Sequence, residues 1–245
     1  MNINIKMALA AVILAVGMFF SAAVLSKFFV RIRHEKTLEV KGFSETNVIS
    51  DIGRFTCRIQ FRGAGLKEAY EGLQAGRSRV QVYLAQRGFK PGEISTEPVE
   101  VLKVARRDDQ GREMNEVEFY DGTQNLVVES GDVERIRDAA IAINELIREG
   151  IDLRVFDPEF YVSDLKDVKV ALLSRATEDG YERAEALARN SKGKVGSLVS
   201  AQQGVFQITR QNSTDTSGYG LYDTTTIKKT AKAVVTLEYA IATEK

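Results

Sequence analysis

The sequence predicts an N-terminal transmembrane helix followed by an α+β domain of mainly antiparallel sheet packed with three helices. Three observations lead to this fold class. The segment from Met7 to Ser26 carries no charge and is long enough to span a bilayer as a helix. Beyond it, segments with an apolar residue at every second position alternate with segments whose apolar residues recur every three or four positions, which indicates strands and amphipathic helices. Their order, with hairpins between strands, is typical of α+β domains.

We expect the uncharged segment to be a retained membrane anchor. Residues 1–6 form a short flank, 7–30 the anchor and 31–36 a basic juxtamembrane linker. The anchor includes Met7, Leu14, Phe19, Phe20 and Ser26. A cleaved signal peptide is the alternative, because the small residues 21–23 have the spacing of a cleavage site. The apolar run continues beyond that site, which favours an anchor.

The domain, residues 37–241, begins with two predicted strands. Residues 37–43 form a short one, and residues 54–62 alternate between two faces. The apolar face of the second strand carries Phe55, Cys57, Ile59 and Phe61. The opposite face carries a row of arginines, Arg54, Arg58 and Arg62. Cys57 is therefore predicted to be a small buried hydrophobe rather than a reactive thiol.

The next segments predict two helices and a hairpin. Apolar residues from Leu66 to Leu84 mark the first helix, which ends before Gly88. Residues 97–106 and 116–129 predict two strands joined by the charged loop 107–115. Ser130 or Asp132 then caps a second helix, which ends before Gly150. Its predicted buried face carries Val133, Ile136, Ala140, Ile143 and Ile147.

A long third helix organises the second half of the domain. Strand 153–162 precedes it, and Asp164 is its expected N-cap. Residues 191–196 end it, and residues 197–208 and 227–241 predict strands. One helix face carries a small residue in each turn, which lets the helix lie close to a neighbour: Ala176, Gly180, Ala184 and Ala188. Because a glycine inside a helix costs about 1 kcal/mol relative to alanine, close packing is the expected reason for Gly180.

One polar segment, residues 209–226, fits no predicted helix or strand. A loop this long inside a compact domain is usually functional or disordered. Tyr219, Leu221 and Tyr222 are candidate contact residues in it, because tyrosine is favoured at interfaces. A solvated hairpin tip is the alternative.

The order of several short motifs resembles the SIMPL family, a family largely of bacterial envelope proteins. The motifs, in chain order, are Val40 to Glu45, Ser50 to Gly53, Ala176 to Ala188, Gly193 to Gly196 and Ala201 to Ile208. The first and last are similar to the membrane-anchored branch of the family, and the first corresponds to its opening strand and turn. The resemblance covers residues 37–241. It implies a fold and a location rather than an activity, since the family has no agreed catalytic residues.

The resemblance implies a single-pass protein of the bacterial inner membrane with its domain in the periplasm. The charges beside the anchor indicate the opposite orientation. Lys27, Arg31 and Arg33 follow the uncharged segment and only Lys6 closely precedes it, so the positive-inside rule alone would keep the domain in the cytoplasm. Long translocated domains can override this bias, and we therefore expect the domain in the periplasm.

Composition and motifs favour neither nucleic-acid binding nor catalysis. Lys plus Arg and Asp plus Glu are both 34, so the chain lacks the basic excess typical of nucleic-acid binders. The single His34 and the single Cys57 lie on different predicted elements and make neither a metal site nor a Cys-His nucleophile pair. Gly63-Ala-Gly65 begins like a dinucleotide fingerprint, but Glu68 would oppose a pyrophosphate. We expect no enzyme activity, no cofactor and no metal.

Two functions remain as hypotheses. The first is a non-enzymatic envelope protein whose tethered domain self-associates into a homo-oligomeric scaffold or stress-related factor. Some SIMPL proteins are thought to form rings, and the edge of the first strand offers a template for pairing with another copy. The predicted subunit contacts are the row Arg54, Arg58 and Arg62 or the loop residues Tyr219, Leu221 and Tyr222. For the arginines, a plain solvated sheet face is the alternative. The alternative is a periplasmic binding module for a small molecule or peptide.

Overall fold

The computed structural model describes residues 14–22, 24, 26, 37–215 and 217–243. The chain divides into two compact units. The first contains the described residues up to Ser44, Leu173–Gly204 and the described residues from Ala233 onward. The second contains Glu45–Leu172 and Val205–Lys232.

The strands and α-helices of the domain, in chain order, are β1 (Thr37–Ile49), β2 (Ile52–Gly63), α1 (Leu66–Gln86), β3 (Ile94–Thr96), β4 (Glu100–Arg107), β5 (Glu113–Ser130), α2 (Val133–Ala142), β6 (Asp152–Val155), β7 (Glu159–Tyr161), α3 (Lys166–Asn190), β8 (Gly193–Gln203), β9 (Gln207–Arg210), β10 (Leu221–Tyr222) and β11 (Lys228–Thr243). Two short 3-10 helices, Pro91–Glu93 and Ile143–Glu149, complete the list for the described residues from 37 onward. β1, α3 and β11 each contribute residues to both units.

A six-stranded antiparallel sheet forms most of the second unit. Its central strand β2 pairs with β5 on one side and with β6 and β7 on the other, and β5 also pairs with β3 and β4. α1 and α2 cover one face because each presents apolar side chains at helical spacing. The buried core there includes Phe55, Cys57, Ile59, Leu73, Leu84 and Ile136. In the same unit β9 pairs antiparallel with residues 229–232 of β11 and parallel with β10.

The first unit has a smaller core. β8 pairs antiparallel with residues 235–243 of β11, and α3 packs its small residues against this sheet. The buried cluster consists of Val40, Ala176, Ala184, Val235, Leu237 and Tyr239. β1 is the last strand of the sheet, next to β11.

The predicted α+β class with mainly antiparallel sheet is confirmed, and the three predicted helices of the domain correspond to α1, α2 and α3. Asp132 is the cap of α2, because its carboxylate accepts a hydrogen bond from the Arg135 N–H at 3.0 Å. Gly88 and Gly150 follow helical segments with φ of 86° and 84°, the left-handed conformation in which glycine commonly ends a helix.

At the N-terminus, residues 14–22, 24 and 26 are helical, and Leu14, Phe19 and Phe20 are exposed. Within the described part of the chain, no helix has both the length and the apolar character that crossing a membrane requires. Met7 and the predicted linker 31–36 lie outside the described residues.

Several predicted strand bounds were wrong. β1 extends to Ile49 instead of ending at residue 43, because the alternation of buried and exposed side chains continues through Ser44 and Val48, where the family resemblance implied a turn. The predicted strand 153–162 is divided into β6 and β7 around Pro158, whose missing N–H cannot join a ladder. The predicted strand 197–208 starts earlier and is also divided, with Gly204 in the gap, because glycine interrupts strand patterns.

The hairpin between β4 and β5 is tighter than the sequence predicts. β4 runs to Arg107 and β5 starts at Glu113, so residues 108–112 replace the predicted loop 107–115. The Asp108 carboxylate accepts hydrogen bonds from the Gln110 and Arg112 backbone N–H groups at 2.9 Å, which closes the turn locally. The three-residue strand β3 was not predicted, since it is too short to show a period.

Two side chains predicted to be buried are exposed. Phe61 is 38% exposed at the end of β2, and Ile147 is 51% exposed. The α2 segment tightens into a 3-10 helix at Ile143, and with three residues per turn the inward position after Ile143 is Leu146, which is only 2% exposed. The error at Ile147 therefore comes from a change of helical period.

Candidate interaction surface

The predicted row of arginines lies on the sheet face opposite α1 and α2. Arg54, Arg58 and Arg62 alternate along β2 with the buried side chains that face the helices. Because β2 is the central strand, Arg54 has neighbours from β5 and β7 and Arg58 has neighbours from β5 and β6, whereas Arg62 is paired with Asp121 of β5. We call this face, together with the tyrosines of the loop 209–226 that adjoin it, the arginine face.

Arg58 is held in the middle of the arginine face. Its Nε donates to Asn125 Oδ1 at 2.9 Å, and Asn125 Nδ2 donates to the Glu97 carboxylate at 2.7 Å. The Arg58 guanidinium also lies 5.5 Å from the centre of the Phe156 ring, and that of Arg154 lies 5.1 Å from the same ring. These contacts hold the Arg58 side chain in one orientation, which suits a binding surface.

Arg62 lies at one end of the row. Its Nε is 3.9 Å from Asp121 Oδ1, and its guanidinium lies 4.9 Å from the centre of the Phe119 ring. Gln60 Nε2 donates to both Asp121 oxygens at 2.8 and 2.9 Å, so the carboxylate is shared. Because the Arg62 side chain is mostly exposed, its ion pair adds little stability and its charge remains accessible to a partner.

Arg54 lies at the other end, in register with Glu129 of β5 and Glu159 of β7. Its Nε is buried and has no hydrogen-bond partner in the described structure. The neighbouring Tyr161 donates its hydroxyl to Glu159 at 2.9 Å. Burial raises the pKa of Tyr161, the bond to Glu159 adds to this, and the positive charge of Arg54 opposes it. The Arg54 Nε–H is thus an unused donor on this face.

The loop tyrosines meet this end of the row. The rings of Tyr161 and Tyr222 are 6.4 Å apart, and the Tyr222 hydroxyl accepts from the Val162 N–H at 3.0 Å. The Phe160 N–H also donates to the Thr224 carbonyl at 2.7 Å, which attaches the loop to β7. The structure therefore brings Arg54 and Tyr222 together around Tyr161, while Arg62 lies at the far end of the row.

The other two loop residues differ from Tyr222. Tyr219 is fully exposed and Leu221 is half-buried. Gly220 between them has a φ of 88°, so the chain turns sharply and presents the Tyr219 ring to solvent. An aromatic side chain held on a turn and left uncovered is a suitable anchor for a protein contact.

A shallow groove of about 290 Å³ crosses the arginine face. Its lining includes one arginine, one amide and three carboxylates beside Phe156: Arg58, Asn125, Glu97, Asp157 and Glu159. No group of potential metal ligands was found among the described residues. The mixture of charges suits a partner that itself carries both signs. The sequence predicted the arginines but not Asn125, Phe156 or Tyr161, because their approach depends on strand pairing.

A buried ion pair supports the loop from beneath. Lys229 Nζ lies 3.4 Å from Asp223 Oδ2, with the two side chains 0% and 9% exposed. Burial alone would raise the pKa of Asp223, but hydrogen bonds from Thr226 and Thr225 and the charge of Lys229 lower it to about 2. Burial lowers the pKa of Lys229. This pair was not predicted, although Lys229 lies on the same face of β11 as the core residues Ala231 and Ala233.

The small residues of α3 belong to the first unit. Ala176, Gly180, Ala184 and Ala188 are all buried there. Gly180 lies against Gly42 of β1 and Leu237 of β11. These four residues form packing contacts of the core, separate from the arginine face.

Comparison with known protein families identifies the family of this chain. The family described as SIMPL, protein of unknown function (DUF541), matches residues 38–239. No curated protein matches the chain.

Proposed function

Since this chain belongs to the SIMPL family, whose function is unknown, we propose that it is a non-enzymatic, membrane-anchored envelope protein whose domain self-associates. The assembly is a cyclic homo-oligomer that serves as a scaffold or stress-related factor. The observation that carries the proposal is the convergence of Arg54, Tyr161 and Tyr222 next to the exposed Tyr219. Arginine and tyrosine are the side chains that most often dominate protein interfaces.

A second copy is the partner that suits the arginine face. The face displays arginines and carboxylates side by side, so a partner must offer both signs, as another copy of the same face or loop does. Heterologous contacts between identical chains close into a ring when the rotation permits. Confinement of the chains to one membrane raises their effective concentration and favours contacts of modest strength.

The proposed membrane location is supported by the uncharged segment from Met7 to Ser26 and by the family resemblance, which implies a single-pass protein of the inner membrane with its domain in the periplasm. The proposal that the protein is non-enzymatic draws support from the burial of Cys57, which disfavours thiol chemistry. Burial raises the pKa of the Cys57 thiol to about 12, so the one thiol of the chain stays protonated, and the thiolate is the form that reacts.

The decisive experiment is the mass of gently extracted full-length protein over a range of concentrations and mild detergents. We expect a defined oligomer. A monomer under all conditions would contradict the proposal.

The anchor and its orientation have separate tests. The protein should stay in membranes after alkaline washing, and recovery of a soluble product beginning near Val24 would show a cleaved signal instead. Protease added to spheroplasts should digest the domain. Digestion only after lysis would place it in the cytoplasm.

The groove on the arginine face favours a second function, a periplasmic binding module for a small molecule or peptide. Its charged lining would recognise a ligand with both an anionic and a cationic group. Short peptides carrying both charges should then raise the melting temperature of the wild-type protein, and Arg58→Ala should abolish the increase. Equal shifts for both proteins would exclude the groove as the binding site.

A further inference from the structure

β1 presents an uncovered edge. Among the described residues it pairs with β11 and has no strand on its other side. It is 13 residues long, and its buried residues Val40, Gly42 and Ser44 alternate with exposed ones. An edge of this length is a template for pairing with another strand, and natural proteins usually protect such edges.

One side chain occupies the middle of this edge. The Phe43 N–H donates to the Asp179 carboxylate of α3 at 2.8 Å. Because hydrogen-bonding groups alternate in direction along a strand, Phe43, Lys41 and Glu45 all direct their backbone N–H and C=O groups away from β11. Asp179 therefore takes a hydrogen bond that a further strand would otherwise receive.

Asp179 is well fixed in this position. The same carboxylate oxygen lies 2.9 Å from Arg183 Nε, one turn along α3. The contact between Gly42 and Gly180 brings the helix close enough for the Asp179 side chain to reach the strand edge. The hydrogen bond from Phe43 lowers the pKa of Asp179, so the group is charged at neutral pH.

We propose that the free edge of β1 is a latent docking surface for β1 of a second copy, which Asp179 holds closed. The inference goes beyond the proposed self-association through the arginine face, because it adds a second contact that stays closed in the wild-type protein. The occupant is another copy because the strand is complementary to itself in charge and length.

The complementarity follows from the register. Two β1 strands related by a two-fold axis perpendicular to the sheet pair antiparallel, and each side chain keeps its face. With the axis at Phe43, all 13 residues of both strands are paired and Lys41 stands opposite Glu45 twice. With the axis at Gly42, Glu39 stands opposite Glu45, and with the axis at Ser44 the Lys41–Glu45 pairs are lost. Opposite charges across strands attract and like charges repel, which selects the register centred on Phe43.

In that register Asp179 opposes pairing in two ways. Its carboxylate competes with the second strand for the Phe43 N–H. The two copies of Asp179 would also meet beside the axis, where their like charges repel. Removal of the carboxylate should therefore open the edge without touching the core.

The test compares Asp179→Ala with Glu178→Ala in the full-length protein. Both variants remove one acidic side chain from α3, but Glu178 is exposed and only Asp179 bonds to the strand edge. Self-association is measured by sedimentation velocity in mild detergent over a concentration series. We expect Asp179→Ala to tighten self-association about tenfold or more relative to Glu178→Ala. Equal values for the two variants would overturn the proposal.

A charge exchange then tests the register. In the Asp179→Ala background, Lys41→Glu places Glu opposite Glu45 and should reverse the tightening. Adding Glu45→Lys to this variant restores opposite charges and should restore association. Failure of the exchange to restore it would overturn the assigned register and with it the docking of β1 on β1.

Folding is checked by circular dichroism. If Asp179→Ala does not fold, Asp179→Asn decides, because its amide oxygen keeps the Phe43 hydrogen bond while the repulsion is lost. We expect an intermediate increase in association, and wild-type behaviour would overturn the proposal.

The mass of the wild-type protein tests the proposed function separately, since a monomeric wild type combined with an associating Asp179→Ala contradicts only that function.

Discussion

Gly42 of β1 lies backbone to backbone against Gly180 of α3. A Cβ atom on Gly42 would lie 2.7 Å from the backbone nitrogen of Gly180 and would overlap the carbonyl oxygen of Ala176. A Cβ atom on Gly180 would lie 2.7 Å from Leu237 Cδ1 and 3.3 Å from the Cα of Gly42. The helix and the strand thus meet at a point where neither accepts a side chain without movement.

The two glycines are expected to respond differently to alanine. Gly42→Ala meets backbone atoms, which cannot yield, and should lower the free energy of unfolding by about 1–3 kcal/mol. Gly180→Ala meets the end of a leucine side chain, and a gain in helix propensity of about 1 kcal/mol offsets the strain, so the net change should be small. Gly180→Leu overpacks the contact and should cost about 1–3 kcal/mol. Chemical denaturation measures all three variants.

Gly218→Ala is the matched control, because no atom lies within 4 Å of the added methyl group. It should behave like wild type. Equal destabilisation by Gly42→Ala and Gly218→Ala would show that the contact with α3 contributes nothing.

The 3-10 segment after α2 gives a prediction from two adjacent residues. Leu146 is 2% exposed and Ile147 is 51% exposed. Leu146→Ala should therefore cost about 2–5 kcal/mol through lost burial and a cavity, whereas Ile147→Ala should change stability by about 0.5 kcal/mol or less. The midpoints of urea unfolding compare the two. A larger loss of stability for Ile147→Ala than for Leu146→Ala would support the buried position of Ile147 that the sequence predicts.

The buried pair beneath the loop should make stability depend on acid pH. The folded pKa of Asp223 is about 2, below its usual 3.8, so the ionised group stabilises the fold above about pH 4. That contribution, on the order of 2 kcal/mol, is lost as the pH falls from about 4 to about 2. Asp223→Asn should flatten this part of the profile of unfolding free energy against pH.

Removal of the lysine isolates the other half of the pair. Lys229→Met leaves a buried carboxylate without its cation and should cost about 3–5 kcal/mol. The double variant with Asp223→Asn should cost less than the sum of the single variants, because the two groups interact. The exposed neighbour Lys228 supplies the control Lys228→Met, which should be close to neutral. Additive costs in the double variant would mean that the pair is not coupled.

Substitutions of the two loop tyrosines should affect self-association and the stability of the fold separately. Tyr219→Ala removes a fully exposed ring and should weaken self-association without changing the melting temperature. Tyr222→Phe removes the hydroxyl that accepts from the Val162 N–H and should cost about 0.5–1.5 kcal/mol. Light scattering measures self-association, and thermal melting measures the stability of the fold.

The control for the tyrosines is Tyr70→Ala, since Tyr70 is an exposed tyrosine of α1, on the helical side of the sheet. Equal loss of association for Tyr219→Ala and Tyr70→Ala would remove the loop from the interface.

Much of the fold could be predicted because its cause is local. Alternation along β2 and β11 and helical spacing along α1 and α3 follow from which side chains avoid water, and the sequence displays that pattern directly. Errors occurred where the period changed within an element, as at Ile143, or where a single residue interrupted a strand, as at Pro158. A short strand such as β3 has no period to detect.

The candidate surface could be predicted only in part. The row Arg54, Arg58 and Arg62 is visible in the sequence, because period-two spacing places its members on one face. Tyr161 is close to Arg54 only because β7 pairs with β2, and Tyr222 is close to Tyr161 only because the loop bonds to β7. No local pattern contains these two pairings.

The α+β class, the family resemblance, the arginine row and the small face of α3 could be read from the amino-acid sequence, because each depends on neighbours along the chain. The contact of Gly42 with Gly180, the pairing of Lys229 with Asp223 and the hydrogen bond from the Phe43 N–H to Asp179, 136 positions away, became visible only in the folded structure. Such contacts gain their energy from folding the whole chain, which selects one partner among many that the local sequence would permit.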